Sequence, residues 1–236
     1  MSHSKLFSPV TILALMSCVF AGASAQAQDR AKLQMKIESL RDQINAKEKV
    51  FLAPSAEDMA AFEGFLRQRD TGMTRLMPRE KYDKNLLTRG GGAFYSFNQI
   101  THDYGSGADI LLEQSTLHSG FSGASFSFLA LLGDVPVDSV TAEGPGVRFL
   151  AAFKTPSAEP DAREQQRRTG AGFEADGFTY RSSLPATVNK TYAVRSVNYD
   201  FSDLLVVFRV ARQDSDGSLI LAWKILARFP VPQLAR

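Results

Sequence analysis

The residue types that could do chemistry concentrate between positions 89 and 110, a stretch holding Arg89, Tyr95, His102, Asp103, Tyr104 and Asp109 among five glycines. An imidazole beside a carboxylate can be oriented as a general base. Tyrosines join an apolar body to a hydroxyl tip, and glycines let a backbone approach a ligand closely or offer N–H groups to an anion. These six residues are therefore the candidate binding set, around a turn at 104–107. Their spacing matches no catalytic signature, so no catalytic residue is assigned.

Other motifs fail on chemistry. Gly123-Ala124-Ser125-Phe126-Ser127 has Ser127 where a nucleophile elbow needs glycine, and no histidine follows His118 to complete the serine, acid, histidine order. Gly105 and Gly107 are followed by Ile110 where a dinucleotide fingerprint needs its third glycine, and no Gly-Lys-Ser or Gly-Lys-Thr phosphate loop is present. His102, His118 and nearby acids lack the fixed spacing of zinc sites, and the opening of 214–217 resembles a calcium loop without its closing glutamate. No metal and no cofactor are expected.

The compartment is more legible. Lys5, the apolar run 10–20 and the small residues of Ala23-Ser24-Ala25 form an export signal over residues 1–25. Cleavage after Ala25 leaves Gln26 first and removes Cys18, the one cysteine, so thiol catalysis and disulfides drop out. The alternative is a lipoprotein acylated at Cys18, although Met16 fits that motif poorly. The apolar run is short of the roughly 20 residues of a transmembrane span. A bacterial periplasmic or extracellular location is expected. With 27 basic against 25 acidic residues, the net charge of +2 argues against nucleic acid as a partner.

The elements that must position the candidate residues follow from periodicity. Leu33, Ile37, Leu40, Ile44 and Phe51 form a helical seam interrupted at Lys47. After Pro54, Ser55 and Asp58 offer a capping box for a second helix, so residues 26–72 read as a helical hairpin. From 73 to 236 short apolar runs with turn residues predict a mainly β domain, α+β overall, in an antiparallel sandwich or barrel. Strands are expected at 74–77, 93–101, 108–114, 116–121, 125–132, 147–154, 177–182, 192–199, 204–212 and 218–229. The last two make a β-hairpin around Asp216-Gly217, with Leu204, Val206, Phe208 and Val210 facing Leu219, Leu221, Trp223, Ile225, Ala227 and Phe229. Residues 156–177, rich in charge, proline and glycine, read as a mobile loop with at most one helical turn.

On this basis an exported, non-enzymatic binding or envelope-associated protein is expected, with a small polar ligand or an envelope partner. The alternatives are a secreted hydrolase or other enzyme using His102 and nearby acids, and a structural protein that self-associates through the N-terminal helix.

Overall fold

Alternating side-chain direction along short β-branched runs builds three antiparallel sheets, preceded by one long helix. The structure, a computed structural model, describes residues 9–81, 86–105, 107–121 and 123–235. In order these carry α1 (Pro9–Phe51), α2 (Ala56–Ala61), α3 (Glu63–Leu66), β1 (Thr71–Leu76), β2 (Phe94–Tyr95), β3 (Ile110–Glu113), β4 (Thr116–His118) and β5 (Phe126–Gly133). Then come α4 (Arg148–Ala152), α5 (Glu159–Ala171), β6 (Phe173–Ala175), β7 (Phe178–Tyr180), β8 (Ser183–Pro185), β9 (Thr191–Asn198), β10 (Ser202–Gln213) and β11 (Leu219–Phe229). The sheets run β1-β11-β10-β9-β5, β2-β3-β4-β8 and β6-β7. Among the described residues none closes into a barrel. The fold is mixed α+β.

The chain divides into two units, 1–47 and 48–236. In the first, the seam residues Leu33, Ile37, Leu40 and Ile44 are all exposed on α1. Residues 1–8 of the expected export signal lie outside the described residues, and 9–25 lie in the helix.

In the second unit, the period of two divides the core. Leu204, Val206, Phe208 and Val210 of β10 join Leu219, Leu221, Trp223 and Ile225 of β11 in one cluster, together with Tyr95, Phe97, Ile110, Leu112 and Leu117 from the four-stranded sheet and its borders. The alternate residues Leu205, Val207, Ala193 and Val197 face a second cluster with Phe126, Phe128, Val147, Leu150 and Ala162. One detail departs from the expected alternation. Leu205 pairs with Ala227 and Val206 with Ile225, so Leu226 is an extra residue, and past this bulge Ala227 and Phe229 pack on the second cluster.

Three segments differ from the sequence reading. No clear helical hairpin is present among the described residues: the Ser55–Asp58 capping box forms, but its helix breaks at Phe62 into pieces of six and four residues, too short for a second arm. Residues 147–154, expected as a strand, contain the helix α4, because Val147, Leu150 and Phe153 recur every third residue and pack on the core together. The expected mobile loop at 156–177 contains the 13-residue α5. Proline in its first turn, acids at its N-terminus, the Glu159–Arg163 and Glu164–Arg167 pairs and burial of Ala162 and Thr169 favour helix over loop.

Two polar assemblies fix what surrounds the candidate site. Glu48, buried in the last turn of α1, accepts hydrogen bonds from the amides of Leu87 and Thr88 and from the Thr88 hydroxyl, anchoring the chain just before Arg89. Leu52, one turn on, lies where a Cβ at Gly92 would meet it at 2.6 Å. At the C-terminal end of β1, Arg75 pairs with Asp214 and Asp216, while Arg212 pairs with Asp214 and Asp58.

Candidate functional site

Of the six candidate residues only Tyr95 lies in a strand, and the fold divides them into an inner and an outer group. Tyr95 of β2 points into the core between the sheets and is 2% exposed, with His102 packed edge-on against it at 5.0 Å. Burial pushes the Tyr95 phenol well above its ordinary range and pushes the His102 imidazole down. His102 Nε2 lies 2.9 Å from the Arg75 carbonyl and 3.0 Å from Thr74 Oγ1. A carbonyl only accepts, so Nε2 carries the proton and cannot serve as a base. Asp103 is turned elsewhere: its carboxylate accepts from the Arg89 amide and the Thr101 hydroxyl. The adjacent histidine and aspartate thus form no catalytic pair.

Asp109 is fully buried, accepting from the Phe97 amide at 2.7 Å and from Asn198 Nδ2 at 3.0 Å. Desolvation raises its carboxyl to about 6, against the pull of the hydrogen bonds it accepts. Through Asn198 it ties the entrance of β3 to the end of β9.

The outer group makes a groove. Phe94 and Leu111 are the neighbours of Tyr95 and Ile110 on paired strands, so they project from the opposite face, where they cluster with Ala93, Ala108, Tyr104 and Phe121. Phe94 contacts Tyr104 at 4.5 Å and Phe121 edge-on at 5.5 Å between ring centroids. The Arg89 guanidinium lies over the Tyr104 ring, 5.2 Å from its centre. Gly90 makes this packing possible: its φ is +100°, and a Cβ there would sit 2.7 Å from the Phe94 ring.

Two cavities share Tyr104 and Phe121. One, of about 510 Å³, is walled by Phe94, Leu111 and Gly90 and carries Arg79. The other, of about 490 Å³, carries Arg89, Ser125, Asn198, Tyr199, Asp200 and Phe201. Of the six sequence candidates, Arg89 and Tyr104 line a cavity, Asp103 holds the Arg89 backbone, and Tyr95, His102 and Asp109 line neither. Phe94, which walls the first cavity, was not among the candidates. Phe121, Arg79 and the 198–201 turn carried no signal, because only tertiary folding brings them beside Tyr104.

Among the described residues, no three of His, Cys, Asp and Glu converge as a metal site. Ser125 and Ser127, from the failed elbow, are structural: Ser125 Oγ accepts the Tyr199 amide, and Ser127 Oγ bonds Ser119 Oγ. No protein-family model matches the chain, and neither a curated protein nor a solved structure matches it.

Proposed function

We propose that the chain is an exported, non-enzymatic binding protein that holds a small ligand in the groove around Tyr104. The observation that carries this reading is that Tyr104 and Phe121 wall two cavities of about 510 and 490 Å³, with Phe94 packed against both rings and lining the first. Cavities of roughly 300–1,000 Å³ with apolar walls and a few polar groups suit small molecules. The aromatic walls favour a ligand with an apolar body over the purely polar one expected from sequence. Two antiparallel sheets sharing one core favour the sandwich architecture as the rigid support for these loops. Export, to a periplasm or the cell exterior, rests on residues 1–25. The enzymatic alternative draws nothing from His102, whose Nε2 is engaged and which lines neither cavity. Native mass spectrometry of protein purified from its own host tests the reading. A retained small-molecule mass, lost on Tyr104→Ala and Phe121→Ala, is expected; a retained mass indifferent to both variants contradicts it.

A second reading is favoured by α1, where Leu33, Ile37, Leu40 and Ile44 are 60%, 49%, 48% and 42% exposed. Alternation of leucine and isoleucine at heptad spacing suits pairing of two copies of the helix. Among the described residues no helix is long and apolar enough to cross a membrane. Light scattering that gives a dimer mass for the parent and a monomer mass for Leu40→Glu supports this role, and a parental monomer at high micromolar concentration removes it.

A further inference from the structure

Building on the ligand-binding reading, we infer that the groove takes an amphipathic monocarboxylate, its ring-sized apolar body between Tyr104 and Phe121 and its anionic group on the Arg89 guanidinium. The apolar half follows from the walls. Tyr104 and Phe121, packed against Phe94 and Leu111 in a small cluster separate from both main cores, also wall the cavity that carries Arg89. Aromatic faces and edges left open to that cavity accept a further ring stacked or edge-on.

The charged half follows from which cation is uncompensated. Arg79, at the first cavity, has Glu113 at 3.3 Å. Among the described residues, Arg89 has no carboxylate on its guanidinium; Asp103 is directed to the Arg89 amide and the Thr101 hydroxyl. The guanidinium lies on the Tyr104 ring and beside Gly105, where a Cβ would stand 3.3 Å from Nη1. A planar fork in this position suits a carboxylate, which it meets with two parallel hydrogen bonds.

A single anionic group is indicated by the other lining residues. Asp200 lines the same cavity as Arg89, and its charge opposes a second anion. Asn198 is committed to Asp109, and Ser125 Oγ accepts from Tyr199 while keeping its own proton to donate, so the remaining polar capacity suits a neutral hydroxyl or carbonyl.

Isothermal titration with 1-naphthoate, uncharged 1-naphthamide and inorganic pyrophosphate tests this on the full chain and on Arg89→Gln, whose exposed side chain can change without disturbing a core. Naphthoate is expected to bind the parent at least tenfold more tightly than naphthamide, with that preference abolished in Arg89→Gln. Circular dichroism and an unaltered thermal midpoint check that the variant is folded. Equal affinity of the two naphthyl compounds for the parent overturns the anion assignment while leaving the groove as a ligand site. Pyrophosphate binding more tightly than naphthoate overturns the single-anion assignment. Binding of neither naphthyl compound at millimolar concentration overturns the aromatic monocarboxylate assignment, while the ligand-binding reading is decided by the retained mass and its response to Tyr104→Ala and Phe121→Ala.

Discussion

Arg195 and Asp203 face each other across β9 and β10 with both side chains 2% exposed, so removing one strands the other in a dry interior. Asp203 accepts from Arg195 Nε and, at 2.9 Å, Nη2, and from the Thr155 hydroxyl; Arg195 also donates to the Leu150 carbonyl and stacks on Phe229. Every side-chain nitrogen and oxygen of this pair has a hydrogen-bond partner, which is the condition under which a buried ion pair holds its place. Asp203→Ala should cost about 3–5 kcal/mol, because the guanidinium loses two charge-assisted bonds and cannot reach water. That is a large share of the roughly 5–15 kcal/mol that holds a domain folded. The double variant Arg195→Met/Asp203→Leu should recover much of the loss, leaving a deficit of about 1–3 kcal/mol from the unpaired Leu150 carbonyl. Urea unfolding followed by tyrosine and tryptophan fluorescence measures the parent, Asp203→Ala, the single variants Arg195→Met and Asp203→Leu, and their double. A double variant whose loss equals the sum of its single losses to within about 0.5 kcal/mol would refute the reasoning, since coupled neighbours are not additive.

Further outcomes are expected elsewhere. The folded-state carboxyl of Asp109 lies at about 6, above its unfolded value, so its contribution is complete below about pH 4 and is lost as pH rises through 6; the urea midpoint should fall over that window, and Asp109→Asn should flatten the fall. Gly72→Ala should destabilise by about 1–3 kcal/mol through overpacking, because the new Cβ would sit 2.3 Å from the Trp223 ring. Trp223→Ala should cost about 3–5 kcal/mol, read from the thermal or urea midpoint. Glu48→Ala should raise amide exchange at Leu87 and Thr88, two donors it holds, and exchange unchanged at both would dissociate the end of α1 from the loop before Arg89.

How far the sequence reaches depends on the range of the interaction that decides each element. The β10–β11 pair was legible because alternation along Leu204 to Val210 and Leu219 to Ile225 is local and the Asp-Gly turn is a short-range signal. The bulge at Leu226 was not, because it changes which face Phe229 takes without altering the composition. Helix α5 was hidden by its own charge: glutamates and arginines read as solvated loop when counted, but as helix when their three- and four-residue spacing is followed. The candidate site was half legible. Residues 89–110 do include the groove residues Arg89, Phe94 and Tyr104, yet the chemically suggestive His102 and Asp109 are drawn into the interior by packing. Phe121 and the 198–201 turn arrive through contacts more than ten residues distant, beyond the reach of any pattern along the chain.

Aromatic proton–carbon NMR on the full chain, titrated with a library of small amphipathic fragments, addresses the groove most directly, since it reports each ring separately. The account predicts that binding fragments shift the Tyr104, Phe94 and Phe121 resonances in a saturable way and leave those of Tyr192 and Phe208, stacked in the core at 5.3 Å, unmoved. Fragments that bind while leaving Tyr104 and Phe121 unshifted would contradict it.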